Sequence, residues 1–191
     1  MALDNTEVVV PGTGYVYIGI ADNGSGTPTA KPSGTFDPLA PGTGWESIGH
    51  TSLENGIEFG RDGDDPETLG SWQNPKLRTT NPDVTYTLGL NALQASAETY
   101  RLYFGANEGA MDAETGTFKI PAKPTAQSRA LLIVIVDGTQ MLPLYFPNVS
   151  LLGSDAIAMD PAALLEFPIK GTILSGSDGS LGDIDAFVAH A

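Results

Sequence analysis

The sequence predicts a mainly β fold, a β-sandwich or barrel with one flanking α-helix. Three observations carry this prediction. The 191 residues include 23 glycines and 14 prolines, which is typical of many turns between short strands. Apolar residues mostly alternate with polar ones or form short runs bounded by turn residues. A single segment places its apolar residues at helical spacing. We expect residues 1–191 to form one domain, since this length suffices for a buried core.

The N-terminal part is predicted to alternate strands with unstructured segments. Residues 1–12 are expected to be an arm, because a Pro-Gly pair ends their short apolar stretch. Residues 15–21 and 45–51 are predicted strands, each led by aromatic residues. Between them, residues 22–44 are rich in Gly, Pro, Ser and Thr and predict a flexible surface loop.

Residues 54–83 are predicted to form a long hairpin with many charges and few core residues. Phe59, Leu69 and Trp72 are its large apolar side chains. Loops of this length in a compact domain are usually functional or disordered, and a tryptophan favours a function. Such a projection commonly buries itself in a neighbouring copy. Head-to-tail contacts of that kind close into rings or propagate as filaments.

Residues 84–104 predict the most regular part of the chain. Residues 84–90 alternate strictly between apolar and polar, which predicts a strand. A helix is predicted at about 91–104, with Asn91 and Gln94 as a capping box and Gly105 as its end.

The C-terminal half is predicted to be strand-rich. The apolar residues 130–136 meet an Asp-Gly turn and then residues 141–146, which predicts a tight hairpin. Its first strand is either buried on both faces or covers a subunit contact. Further strands are predicted at residues 117–120, 148–153 and 163–174. Residues 175–191 are predicted to be a C-terminal arm, whose apolar patch includes Phe187.

Charge and composition exclude several function classes. Nine basic and 23 acidic residues give a net charge of −14, which repels phosphate backbones and anionic lipid surfaces. The absence of cysteine excludes disulfides, thiolate zinc sites and thiol nucleophiles. His50 and His190 are the only histidines, and no Gly-x-Ser-x-Gly motif accompanies them. The acidic cluster at residues 62–67 lacks the spacing of an EF-hand. The sequence therefore predicts no enzymatic activity, no cofactor and no membrane partner.

The chain resembles the major tail (tail tube) proteins of long-tailed, non-contractile phages that infect actinobacteria. The resemblance begins with WESIGHTS at residues 45–52 and continues with GSWQNPKLRT at residues 70–79. It extends to YRLYFG at residues 100–105, the apolar hairpin at residues 131–146 and Phe-Pro-Asn-Val at residues 146–149. It covers most of the chain in order and spacing.

This resemblance implies a structural virion protein of the phage tail that is assembled in the host cytoplasm. Members of this family form hexameric rings that stack into a tube around a DNA channel. A long loop and terminal arms bridge their subunits and rings. In this chain residues 54–83 would be the inter-subunit hairpin, and residues 1–12 and 175–191 would be arms between rings. The implied partners are the chain itself, the tape-measure and tube-end proteins, and DNA as cargo passed without sequence preference.

The resemblance and the charge together name candidate residues. The candidate inter-subunit contacts are Trp72, Leu69, Phe59 and Phe187. An alternative for Trp72 is a lid over its own barrel. The channel is expected to be lined by strands with alternating polar residues, at 45–51 or 57–61. An acidic wall would keep the tube from binding the DNA it passes, because each cation–phosphate contact adds affinity. The candidate wall or rim groups are Glu46, Glu54, Glu58, Asp62 and Asp64.

A second hypothesis is a β-sandwich binding module, such as a virion decoration or carbohydrate-binding domain. It requires an exposed aromatic platform, for which Trp45, Trp72 and Tyr15 are the candidates.

Overall fold

A computed structural model describes residues 7–191, which form eleven β-strands and one α-helix. The predicted mainly β fold with one helix is confirmed. The helix is α1 (Ala97–Phe104), and the strands are β1 (Thr13–Ile20), β2 (Glu46–Ser47), β3 (Glu58–Asp62), β4 (Glu67–Leu69), β5 (Arg78–Thr80), β6 (Thr85–Ala92), β7 (Gln127–Asp137), β8 (Gln140–Gly153), β9 (Phe167–Leu174), β10 (Asp183–Ile184) and β11 (Val188–Ala189).

One antiparallel sheet contains nine of these strands. Its order is β2-β1-β7-β8-β9-β6-β3, and the short β10 and β11 also pair with β8. One edge of the long β8 is therefore shared. Strand β9 pairs with its residues 148–153, and β10 and β11 pair with its residues 140–145. Within the described chain, β4 and β5 pair only with each other.

The segment after β2 joins the two ends of this sheet and closes it into a barrel. The backbone N–H of Ile48 donates to the carbonyl of Val16 in β1 (3.0 Å), and that of Ser52 donates to Asn91 in β6 (2.8 Å). Gly49 lies between these contacts with φ 89°, a left-handed conformation that suits glycine. The predicted strand at residues 45–51 is therefore wrong over most of its length, because the segment divides its hydrogen bonds between two sheet edges.

Strand β7 is the centre of the core because both of its faces are buried. Leu131 and Ile133 pack into the main core inside the barrel, together with apolar residues of β1, β6, β8 and β9. Leu132 and Val134 pack into a second cluster on the other face, which the residues around Phe36 help to cover. The sequence predicts that this strand either is buried on both faces or covers a subunit contact. The structure shows the first of these.

The loop at residues 22–44 is attached to this second cluster at several points. The hydroxyl of Tyr17 donates to the carbonyl of Pro38 (2.7 Å), and the indole N–H of Trp45 donates to Ala30 (3.1 Å). The Thr29 side chain is buried and accepts from the backbone N–H of Ile20 (2.8 Å). The predicted flexibility of the loop stays a prediction.

Helix α1 covers one end of the barrel. Leu102 of this helix is fully buried, and its Tyr100 and Tyr103 pack edge-on against Phe167 of β9 at 5.6 and 5.9 Å between ring centroids. The predicted end is confirmed, because Gly105 caps the helix with φ 60°.

The predicted start of the helix near residue 91 is wrong. Asn91 and Ala92 still belong to β6, where they pair with Pro168 and Phe167 of β9. The helix begins after Ser96, whose hydroxyl accepts from the backbone N–H of Thr99. The capping-box pattern at residue 91 therefore lay within a strand.

The predicted tight hairpin at residues 130–146 is confirmed. Strands β7 and β8 meet at a two-residue turn, in which Gly138 has φ 61°. The strands predicted at residues 141–146 and 148–153 form one continuous strand. Pro147, which has no backbone N–H to donate, lies where the pairing of β7 with β8 shifts its register, so it does not interrupt the strand. The strand predicted at residues 163–174 begins only at Phe167, and residues 117–120 contribute a single bridge between Phe118 and Met111.

Candidate assembly site

The hairpin formed by β4 and β5 projects from the barrel. Every residue from 61 to 81 is exposed to solvent. Strand β3 anchors its base by pairing with β6, from Glu58 opposite Gly89 to Asp62 opposite Thr85. The predicted hairpin at residues 54–83 is thus two structures, a strand of the main sheet and a separate two-stranded tip.

The tip is ordered by its own hydrogen bonds. Ser71 and Asn74 exchange backbone hydrogen bonds (2.7 and 3.2 Å), and the Asn74 side chain accepts from the backbone N–H of Lys76 (3.1 Å). Gly70 is required here, because a Cβ would lie 2.4 Å from the carbonyl oxygen of Pro75. These contacts define the backbone turn that carries the apolar side chains of the tip.

Trp72 is the most exposed large side chain of the tip, with a relative accessibility of 103%. Leu77 and Leu69 are exposed to 63% and 46% beside it. Trp72 therefore does not lie over its own barrel as a lid. A tryptophan held in solvent on a defined turn is typical of a contact residue that another surface covers.

The other two candidate contact residues lie elsewhere. Phe59 is on β3, half exposed, and stacks on Tyr86 and Phe146 at 5.6 and 5.9 Å. Phe187 is half buried between β10 and β11, which pair with residues 140–145 of β8. The structure thus brings together Leu69 and Trp72 and separates both from Phe59 and Phe187.

The candidate acidic residues are all exposed but do not form one cluster. Glu58 and Asp62 share the outward face of β3, while Glu54 and Asp64 lie in the segments on either side of that strand. Glu46 lies apart from them, on a cleft near β1 and α1.

The outer face of β3, β6 and β9 carries small or charged polar side chains. Gly60 pairs with Thr87, and Thr87 pairs with Thr172, so these three positions form one row across the face. A parallel row contains Glu58, Gly89 and Lys170. This sheet face is polar and free of large apolar groups at these positions.

A charged cluster fixes α1 to β7. The carboxylate of Glu98 accepts from Arg101 of the helix (2.6 Å) and from Arg129 of β7 (3.3 Å). Arg101 also contacts Glu108 at 3.3 Å. These residues and Glu46 line a polar cleft of about 460 Å³. The helical spacing predicts the Glu98–Arg101 pair, whereas Arg129 joins it only through the tertiary fold.

A second, apolar groove lies in the loop between β8 and β9, and the sequence reasoning missed it. Its volume is about 380 Å³, and its lining is Ala158, Met159, Asp160, Pro161, Ala163 and Leu165. The only sequence signal is a stretch of small and apolar residues without alternation around Pro161.

Glu166 attaches the end of this loop to the rest of the barrel. Its carboxylate accepts from the Ser52 hydroxyl (2.6 Å), the Asn55 amide (2.8 Å) and the Asn91 amide (2.8 Å). These hydrogen bonds, that of Ser52 foremost, hold the pKa of Glu166 below its ordinary value, because they stabilise the charged form.

Residues 7–191 hold neither a metal-binding cluster nor a membrane-spanning helix. In that range no three histidine or carboxylate side chains converge as a metal site. None of the helices described is long and apolar enough to cross a bilayer.

Comparison with known proteins defines the class to which this barrel with a projecting hairpin belongs. The family model described as phage tail tube protein matches residues 1–183. The chain therefore belongs to the phage tail tube protein family.

Two relatives narrow this placement. The chain is 34% identical over 185 residues to the major tail protein Gp23 of Mycobacterium phage D29, which covers 93% of this chain and 90% of that protein. It is also 34% identical over 186 residues to the major tail protein Gp23 of Mycobacterium phage L5, with the same coverage. The resemblance seen in the sequence is confirmed. The protein is a structural component of the phage virion tail, and its family assembles with itself and with other tail proteins.

Proposed function

We propose that the chain is the repeating subunit of a tail tube made of stacked hexameric rings. The lumen of the tube would be an acidic conduit for the ejection of DNA. Membership of the tail tube family supports the tube, and the net charge of −14 per chain supports its acidic character. The tape-measure and tube-end proteins are the further proposed partners, and no catalytic role is proposed.

The observation that carries this proposal is the fully exposed hairpin tip with Trp72. A tryptophan buries roughly 150–250 Å² when it is covered. At about 25 cal/mol per Å² this corresponds to about 4–6 kcal/mol before the costs of association are counted. Each copy would donate one tip and receive another, and such head-to-tail contacts close into rings.

The polar face of β3, β6 and β9 is the proposed channel wall. Its threonines and glycines present no large groups, and Glu58 and Asp62 add negative charge. Lys170 is the one cation of the rows described above. DNA phosphates would be repelled from this surface, so they could slide past it without the counterion release that drives binding. Glu46, Glu54 and Asp64 are proposed rim groups.

The two termini are proposed to bridge successive rings. Residues 1–6 of the N-terminal arm lie outside the described residues, and the backbone N–H of Val10 donates to the Asp137 carboxylate (2.9 Å). The C-terminal segment pairs with β8 of its own chain through two short strands, and Ile184 remains 64% exposed on it. This exposed side chain and Phe187 are the proposed contacts of that arm.

The alternative of a binding module lacks the aromatic platform it requires. Trp45 is half buried, donates its indole N–H to Ala30 and packs edge-on against Tyr145 at 6.0 Å. Tyr15 is also half buried, which leaves Trp72 as an isolated exposed ring. These observations favour the tube.

Negative-stain electron microscopy of the concentrated purified protein tests this proposal. We expect rings and tubes from the wild type, with sixfold symmetry in end views. At the concentration at which the wild type just assembles, Trp72→Ala should remain monomeric with an unchanged circular dichroism spectrum. Leu39→Ala, which removes an exposed apolar side chain from a different loop, is the matched control and should assemble. A wild-type protein that stays monomeric and binds a glycan would contradict the proposal.

A further inference from the structure

The apolar groove between β8 and β9 has the properties of a receiving surface. Met159 and Leu165 of its lining are 85% and 37% exposed. Asp160 fixes its turn by accepting from the backbone N–H groups of Ala162 (2.9 Å) and Ala163 (3.2 Å). Exposed apolar surface on a defined turn is typical of a protein contact site.

The groove has room for one aromatic ring. Its volume of about 380 Å³ is near the lower end of the range for small-molecule pockets, roughly 300–1,000 Å³. It opens on a loop that Glu166 holds in place through three hydrogen bonds. A single large side chain could therefore enter without unfolding the loop.

The charges around this groove and around the hairpin tip are complementary. Residues 154–166 contain three carboxylates, those of Asp155, Asp160 and Glu166, and no lysine or arginine. Residues 68–80, which carry Trp72, contain two cations and no carboxylate, whereas the base of the hairpin carries Asp62, Asp64, Asp65 and Glu67. Complementary charge of this kind selects a partner and sets its orientation.

The polar cleft fits an indole ring poorly. Its lining includes Ile18, Ile20 and Ala21, but also the charged residues Glu46, Glu98, Glu108, Arg101 and Arg129, whose charges would lose solvent when an apolar ring covered them. The apolar groove imposes no comparable cost, because Asp160 is the one charged residue of its lining.

Other exposed apolar segments match the groove less well than the tip. Val8 lies beside Glu7, whose carboxylate would face those of the groove. Ile184 lies between Asp183 and Asp185, which Lys31 already pairs at 3.1 and 2.5 Å, so this segment brings no free cation to the groove. Ile120 lies between Lys119 and Lys123 and has the right charge.

Ile120 nevertheless lacks the reach of the hairpin tip. Its neighbour Phe118 packs on Tyr100 and Phe104 at 5.4 and 5.9 Å, which holds the segment against α1. The hairpin tip therefore combines apolar character, positive charge and projection.

From these observations we infer that Trp72 of one copy inserts into the groove between β8 and β9 of a neighbouring copy. Lys76 and Arg78 then face the carboxylates that surround the groove. This inference rests on the proposed function, because it requires that copies of the chain assemble. It specifies which surface receives the hairpin.

Disulfide trapping tests the inference cleanly because the chain has no cysteine. The test variant is Gln73→Cys/Ala163→Cys, which leaves Trp72 in place and puts one thiol on the tip and one in the groove. The control is Ile120→Cys/Ala163→Cys, which offers a thiol on an exposed apolar segment of the same charge. Both are assembled under reducing conditions, checked for tubes by electron microscopy, oxidised and run on non-reducing gels.

We expect a ladder of cross-linked oligomers from the test variant and a monomer band from the control. A ladder beyond the dimer requires each copy to donate a tip and receive one. Tubes of the test variant without a ladder, or an equally strong ladder from the control, would overturn the groove assignment and leave the proposed tube intact. A wild-type chain that forms neither rings nor tubes would overturn both proposals.

Discussion

Strand β7 and the hairpin tip differ in what surrounds their apolar side chains. In β7 the four residues Leu131–Val134 are at most 2% exposed, and the barrel itself covers them on both faces. In the tip, Trp72 and Leu77 are exposed although the turn that holds them is well defined. The comparison indicates that β7 stabilises the subunit and that the tip stabilises the assembly. Substitutions in the two regions should therefore change different measurements.

The largest expected effect is on the barrel. Leu132→Ala removes a fully buried side chain and should lower the free energy of unfolding by about 2–5 kcal/mol. The matched substitution in the tip, Leu77→Ala, should change it by less than about 0.5 kcal/mol, since that side chain is exposed. Urea denaturation of both monomers measures the difference. Equal destabilisation by the two variants would contradict the claim that β7, and not the tip, stabilises the subunit.

Trp72→Ala should reverse this pattern. We expect an unchanged free energy of unfolding for the monomer, because Trp72 is fully exposed there. Loss of a central contact costs about 2 kcal/mol or more in binding, so the critical concentration for tube formation should rise at least about 30-fold. Sedimentation of tubes over a range of protein concentrations measures this. An unchanged critical concentration would show that the tip is not an assembly contact.

Reversing the charges of the tip should have a smaller effect on assembly. Lys76→Glu/Arg78→Glu should weaken tube formation by about 1 kcal/mol per ion pair at most, since exposed pairs contribute little. Adding Asp155→Lys should recover part of the loss without touching Asp160, which fixes the turn of the groove, and added salt should reduce the difference by screening. If reversing charge on the groove side as well restores no tube formation, Lys76 and Arg78 do not contact the groove carboxylates.

The smallest expected effect is the pH dependence that Glu166 gives to the groove loop. The pKa of Glu166 in the folded protein lies below its ordinary value of 4.5, because Ser52, Asn55 and Asn91 donate to its carboxylate. Its stabilisation is therefore present above about pH 4.5 and is lost as the pH falls through the folded-state pKa. The stability difference between wild type and Glu166→Gln should shrink on acidification. A difference independent of pH would contradict this role.

Features that depend on local sequence could be predicted. The β7–β8 hairpin follows from an apolar run, an Asp-Gly turn and a second run. The end of α1 follows from Gly105, and the projecting segment follows from many charges around an isolated tryptophan. In each of these cases the neighbours in sequence determine the structure.

Features that depend on distant partners could not be predicted. The barrel is closed where the backbone N–H of Ile48 donates to β1 and that of Ser52 donates to β6. The residues around these two positions carry no sequence pattern that predicts either partner strand. The start of α1 differs from the prediction because Asn91 pairs with Pro168 of β9 and does not cap a helix. The apolar groove was missed because its loop is positioned by Glu166 through contacts with distant segments.

Amide hydrogen exchange of residues 67–80, measured in the monomer and in assembled tubes, tests most directly whether a neighbouring subunit covers the hairpin tip. An isolated two-stranded hairpin is marginally stable, so these amides should exchange rapidly in the monomer. In tubes they should be strongly protected, while the amides of β7 should exchange slowly in both states. Rapid exchange of the tip in tubes as well as in the monomer would contradict the account.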